Sequence, residues 1–424
     1  MSCPRGGLVL LPPLRVLERR PPRASVYRRG VPTRSPSRTI ALLWFTTWTA
    51  FLCVGIPLAV LPRYVQGPLG GTDVMAGFAV GSLSLAAMLC RPFGGRLADE
   101  RSRRLVVTGG MALCVVGGVV LFVSDSYPTL IAARMIAGAG ESWVYAAAMA
   151  WALDLTPKER HGSAIALFGM AIWLGATAGT ATGELLLSVT DSFQTVWAAV
   201  IVVPVAGLLA VLATQREAPH PPRTGPRPPL ILKVSVRPGI ALALANLGYA
   251  AVASLVTLHL IDRGVASPGL TLTAVAAAVV VTRLAVAYAL DRSGPFGVLT
   301  AGCASQVAGL ILIAGAHGLA PALVGGLLLG AGYAAVFPAL ALIVVNAAPD
   351  DQRGAALGGF TAFLDLGLAI GGPLAGISAA YLGRPEAFLV AAALTLTALA
   401  VAPRRSSSPP SAPHLRVPAE SERL

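Results

Sequence analysis

Apolar runs of about twenty residues recur along almost the whole of this chain, and no other feature narrows its folding choices so far. A helix needs roughly that length to cross a hydrocarbon core of about 30 Å. Inside lipid every backbone N–H and C=O must be satisfied within the protein, which leaves helices or closed barrels. A barrel would show alternating strands of about ten residues, and these runs do not alternate. Only 12% of the 424 residues are charged, about half the share of a soluble domain, and mean hydropathy is +0.73. The chain therefore reads as an all-α membrane protein. Its twelve spans lie at about 40–62, 74–92, 104–124, 128–151, 163–188, 193–213, 239–261, 269–290, 297–316, 320–347, 354–380 and 385–402.

The charges that remain orient these spans. Of 32 Lys and Arg, 27 fall in the tails and even-numbered loops when the N-terminus is placed inside. Three fall in outward loops (Arg63, Arg263, Arg384), and Arg134 and Arg283 lie within spans. This asymmetry predicts both termini in the cytoplasm of a multi-pass cell-membrane protein. The net charge of +13 is then an orientation signal. With no soluble domain to gather the charge on one face, a nucleic-acid partner is not expected. Residues 1–38 hold nine arginines and read as a disordered basic tail, with no signal peptide. Residues 214–238, rich in Pro and Arg, read as a cytoplasmic linker between bundles at 39–213 and 239–402, and 403–424 read as a second disordered tail. Five scattered cysteines without CxxC spacing read as small packing residues; no metal or cofactor is expected.

The chain also repeats itself. A shift of 192 residues places Arg91 on Arg283, Asp99 on Asp291 and Gly138-Ala139-Gly140 on Gly330-Ala331-Gly332. Pro157 falls on Pro349, Phe168 on Phe360, Leu174-Gly175 on Leu366-Gly367 and Gly179 on Gly371. With an even number of spans in each half, the repeat is parallel and its pseudo-two-fold axis runs along the membrane normal. Transporters of this build bind substrate near the midplane, between the halves.

The loop after span 2 carries the sharpest motif. Gly95-Arg96-Leu97-Ala98-Asp99-Glu100-Arg101-Ser102-Arg103-Arg104 resembles motif A of the major facilitator superfamily, G-x-L-a-D-r-x-G-R-R/K. Glu100 stands in place of the usual basic residue and Ser102 in place of the usual glycine. A second-half copy keeps Asp291, Arg292 and Gly294, with Ala287 at the position of Gly95. Arg134-Met135-Ile136-Ala137-Gly138-Ala139-Gly140 resembles motif B. Gly175-x-x-x-Gly179-Thr180-x-x-Gly183 is similar to the antiporter motif C without its proline. The resemblance, over residues 40–402, implies a twelve-helix alternating-access transporter that acts as a monomer in the bilayer. It also implies that Gly95 lets span 2 approach span 11 closely, with Asp99 facing the positive N-terminal end of span 11 around Arg353-Gly354-Ala355. Arg103 is then expected to pair with Asp154 or Glu159. The glycines of span 5 read first as packing positions, and second as a face that slides against span 8.

Ionisable groups inside spans are functional candidates by default. Arg134 and Glu141 are two turns apart on one helix face, with Gly138 between them. Counted from the turn near residue 158, Arg134 and Glu184 lie within about 3 Å of one depth and are expected to pair. Glu141 and Asp365 lie near mid-depth, 17 and 15 residues from their own turns, and are candidates for a proton or substrate site. Burial favours a neutral carboxyl and a nearby arginine a charged one, so the proton's place is left open here. Trp143, Tyr145 and Trp173, with one or two acids, suit a lipophilic and even cationic substrate; Trp44 and Trp48 read as lipid-facing belts and ordinary helix packing.

The leading expectation is proton-coupled efflux of a drug-like or metabolite small molecule. Uptake of a sugar or organic acid by symport or uniport is an alternative, favoured by a more polar cavity. A non-transporting receptor or scaffold is another. Enzymatic chemistry is not expected, and no GxxxxGK[ST] loop supports ATP-driven transport.

Overall fold

The computed structural model describes residues 36–157, 160–214, 231–349 and 352–403. Most of both tails, and residues 215–230 of the linker, fall outside the described residues. The elements are α1 (Pro36–Leu58), α2 (Leu61–Gln66), α3 (Asp73–Glu100), α4 (Arg103–Phe122), α5 (Tyr127–Asp154), α6 (His161–Thr190), α7 (Phe193–Leu212), α8 (Lys233–Ile261), α9 (Leu270–Ala314), α10 (Leu319–Ala347), α11 (Arg353–Leu382) and α12 (Arg384–Val401). Helix α2 is a single short turn region after α1, and α9 carries spans 8 and 9 across a kink at Gly294, so twelve helical spans result. Among the described residues nine helices are by themselves long and apolar enough to cross a membrane.

Local chemistry sets the boundaries. Proline is pre-organised for a helix's first turn, and α1 starts at Pro36, inside the stretch read as tail. Thr72 caps α3, accepting from the Met75 N–H at 3.3 Å, and Asp73 places a negative charge in the first turn. Ser102 caps α4 through the Leu105 N–H, so the serine that departs from motif A has a structural task. Its 192-residue counterpart, Gly294, takes φ 67° and ψ 169°, a conformation reserved for glycine, and Pro295 follows. The two halves thus break their chains at the same place by different means. Two boundaries differ from expectation. Helix α3 continues to Glu100 rather than ending near 92, because Pro92 is absorbed inside the helix. Helix α8 begins at Lys233, within the expected linker, and takes in Pro238 at the loss of one intrahelical hydrogen bond.

The duplication is visible in backbone contacts. A β-carbon on Gly138 would strike the Leu83 carbonyl, and one on Gly330 the Val275 carbonyl. Gly140 stands against the Gly110 carbonyl and Gly332 against that of Gly302; Gly117 meets Ala133 and Gly309 meets Gly325. Every partner pair keeps the 192-residue register. Close helix approach at small residues is how membrane helices gain packing without a hydrophobic driving force. The halves meet chiefly along α3–α11 and α6–α9.

With twelve crossings, the beginning of α1 and the end of α12 share one face of the molecule, here called the terminal face. On the opposite, far face the halves are tied. Arg384 on α12 donates to both Asp73 carboxylate oxygens at 2.9–3.2 Å and to Gln66 Oε1 at 2.9 Å. It also pairs with Asp262 at the end of α8. Thr257 on α8 donates to the Ala59 carbonyl at 3.3 Å. Within single halves, Arg63 pairs with Glu184, and Arg263 donates to the Ala314 and Ala316 carbonyls at 2.9 and 2.6 Å. The three arginines assigned to outward loops are all engaged here.

Candidate functional site

A cavity of about 290 Å³ lies between the halves, walled by α1, α3, α5, α6, α8, α9, α10 and α11. It runs from Leu58 on the far side to Ile165 and Thr361 on the terminal side. Its wall is mostly apolar, yet five charged side chains line it: Arg91, Arg134, Glu141, Arg283 and Asp365. An ionised group at this depth persists only with partners or water.

Arg91 and Asp365 supply that pairing across the halves. The guanidinium of Arg91, on α3, donates through Nε to Asp365 Oδ2 at 3.0 Å and through Nη2 to Oδ1 at 3.1 Å, a bidentate fork onto α11. The same guanidinium lies 5.7 Å from the centre of the Tyr145 ring. Glu141 and Asp365 are 4% and 5% exposed, so neither carboxyl is solvated like a surface acid. Glu141 sits within the electrostatic reach of both Arg91 and Asp365. Arg134, 3% exposed, turns its Nε to the Ala79 carbonyl at 3.4 Å. Arg283, on the second half, stacks 5.7 Å from the Trp173 ring centre, and its Nε is buried without a hydrogen-bond partner. Trp173, Tyr249 and Tyr333 form a ring cluster with centroids 5.0–6.3 Å apart.

The sequence and the fold correspond to known proteins. The sequence profile of the Major Facilitator Superfamily matches residues 43–323 and 265–422. An uncharacterized MFS-type transporter of Burkholderia mallei (strain SAVP1) is 32% identical over 374 residues, covering 84% of this chain and 89% of the relative. The chain belongs to the major facilitator superfamily. Solved superfamily structures share the fold at low identity. A mutant form of the nucleoside transporter NupG superposes with a TM-score of 0.73 at 13% identity, over 85% of this chain and 98% of its own. A D-xylose-proton symporter gives 0.69 at 15%, over 86% and 96%. Superfamily membership makes this a membrane transporter rather than an enzyme.

The superfamily motifs sit as follows. Arg103 pairs with Asp154 and donates to the Ala150 carbonyl at 2.6 Å, and Arg104 donates to the Leu212 carbonyl at 2.8 Å. Both tie α4 to neighbours in its own half. The Asp99 side chain falls outside the described residues, as do that of Ala355 and the whole of Glu159. Gly95 is not the close-packing point expected of it: among the described residues, a β-carbon there would meet no atom of another element within 4 Å. The tight α3–α11 seam lies near the far face instead, where Gly77 and Gly81 face the backbone of Gly372 and Ala369, and Gly376 faces Asp73. Asp291 and Arg292 are exposed, and among the described residues Arg292 reaches only the Tyr288 hydroxyl, at 3.5 Å.

Two further expectations are corrected. Glu184 pairs with Arg63 rather than with Arg134. Equal depth did not bring the latter two together, because α6 packs on α1, whose far end leads to Arg63, and only lightly on α5. Gly175, Gly179 and Gly183 pack on Trp48, Leu52, Gly55 and Ile56 of α1, in line with their first reading; the sliding face expected against span 8 is not theirs, and α6 meets that span through other positions such as Thr180. Trp44 donates to the Leu167 carbonyl at 2.9 Å, so it too serves the α1–α6 contact. Trp143 leaves the cavity and donates to the Cys90 carbonyl at 3.1 Å.

Arg91, Arg283, Tyr249 and Tyr333 were not among the sequence-derived site residues. The signal for the two arginines was present in the register that superposes them. Arg91 was hidden because, at the very end of a span drawn to about residue 92, it was counted with the loop charges that follow it.

Proposed function

We propose that this chain is a proton-coupled secondary transporter of the bacterial cell membrane, with both termini cytoplasmic, that exports a small organic molecule through the cavity between its halves. The Arg91–Asp365 pair carries this reading. It joins the two halves inside the cavity, and a proton on Asp365 removes the charge that holds Arg91. Glu141 beside it offers a second carboxyl for the same proton. A group that pairs the halves when charged and releases them when neutral links proton movement to the rocking of the halves. The charge asymmetry of the loops supports the orientation, and the similarity of α6 to motif C supports antiport.

A second reading, uptake of an organic acid by symport, is favoured by the five charged side chains of the wall. One experiment separates the two. A thermal-shift screen over anionic, neutral and cationic compounds selects ligands of the purified chain. Transport of each ligand is then followed in oriented proteoliposomes under pH gradients of either sign. Export predicts substrate moving against the proton gradient, and symport predicts movement with it. Gradient-independent transport, or none in any class, would sink the proton-coupled reading.

A further inference from the structure

The repeat relates more than helices; it relates the surroundings of two arginines. Residue 91 maps to 283, and Trp173 maps to Asp365. Arg91 in the first half reaches the second-half helix α11 and finds a carboxylate there. Arg283 in the second half reaches the first-half helix α6 and finds, at the equivalent position, the indole of Trp173. The second acid near Arg91 is Glu141, and its repeat counterpart is Tyr333, whose ring packs 5.3 Å from Trp173. Both acids that neutralise the first arginine are therefore replaced by aromatic rings around the second.

The charge balance of the wall points the same way. Three guanidinium groups face two carboxyls, and Asp365 is already occupied by Arg91. Among the described residues Arg283 has no acidic partner, and its Nε is buried with none of any kind. Aromatic faces offset part of a cation's desolvation but leave its in-plane N–H donors open. A cationic substrate would meet a net positive wall.

We propose that Arg283 is the anchor for an anionic group, and that the cavity takes an organic monoanion whose apolar or aromatic body packs on Trp173, Tyr249 and Tyr333. The inference rests on the reading that this cavity carries substrate, and it reverses the cationic preference expected from the aromatic residues alone. A single carboxylate or similar group would take the fork that Arg283 offers, as Asp365 takes that of Arg91. The cavity's volume suits a compound of one or two rings.

The test compares three ligands of one shape, 1-naphthoate, 1-naphthamide and 1-naphthylmethylammonium, binding to the full chain in nanodiscs by calorimetry. The wild type is expected to prefer the carboxylate over the ammonium by about tenfold or more. Arg283→Gln is expected to weaken naphthoate about tenfold while leaving the amide nearly unchanged, and Arg283→Lys to lose less than Arg283→Gln. Trp173→Asp, which rebuilds around Arg283 the carboxylate that Arg91 already has, is expected to abolish the preference. Should that variant not fold, the two Arg283 variants decide. Unchanged naphthoate binding by Arg283→Gln would make the Trp173 stack purely structural and overturn the proposal. So would a wild-type preference for the ammonium, or no binding of any of the three. Transport of neutral or cationic compounds in the proteoliposome screen would in that case leave the transporter reading standing.

Discussion

At the scale of single residues, the consequence of placing charges in a low-dielectric wall is that partners cannot be removed one at a time. Arg91 and Asp365 have side chains 23% and 7% exposed, and breaking such a buried pair from one side strands the other charge, at a cost of about 3–5 kcal/mol. Arg91→Met and Asp365→Asn are each expected to lower the unfolding temperature in detergent. The double variant is expected to recover much of the loss, because the stranded charge is gone. Asp365→Asn is further expected to abolish accumulation driven by a pH gradient while leaving substrate exchange in its absence, read by proteoliposome flux. Little of this pairing was legible beforehand. Asp365, Glu141 and Arg134 stood out as charged residues in apolar runs. Arg91 did not, since a charge at the edge of a span looks the same whether it faces water or a cavity. Nor could depth alone find the partner of Glu184: residues at one level can belong to helices that scarcely touch.

At the scale of elements, the spans themselves were readable because length and hydrophobicity are set by the bilayer, and because the repeat confirms each half with the other. Helix neighbours within a half were not readable from spacing. The glycines of α6 announced a close contact without naming α1 as the other side of it. The equivalent contacts now allow a symmetric prediction. Gly140→Val and Gly332→Val both push a side chain into a glycine carbonyl 192 residues from its counterpart. Each is expected to cost about 1–3 kcal/mol as overpacking, with similar falls in unfolding temperature. At the α3–α11 seam, Gly77→Val should instead wedge the halves apart at the far face. An energy of about 1–3 kcal/mol there shifts a two-state equilibrium roughly five- to a hundredfold. Labelling of a cysteine placed at Ser84, in the cavity wall, by an impermeant maleimide from that side would report it.

At the scale of the whole molecule, the charged tie across the far face is the cluster around Arg384, with Asp73 and Gln66 on one side and Asp262 on the other, beside the Thr257–Ala59 hydrogen bond. Arg384→Gln is expected to raise far-side labelling of the same cysteine and leave labelling from the terminal side equal or lower, since one equilibrium governs both. The sequence assigned Arg384 to an outward loop, and the structure sets it at the first residue of α12; a charge at such a boundary carries no sign of whether it joins two halves. The contrast along α3 also has a mechanical meaning. Gly77 is pressed against α11, while Gly95, eighteen residues on, meets no other element among the described residues. That separation makes a lever about 27 Å long with its fulcrum at the pressed end. Tilting such a rod by about 15° swings its tip through roughly 7 Å. A small change of angle at a seam of glycine backbone would thus be geared to a displacement wide enough to admit an aromatic ring.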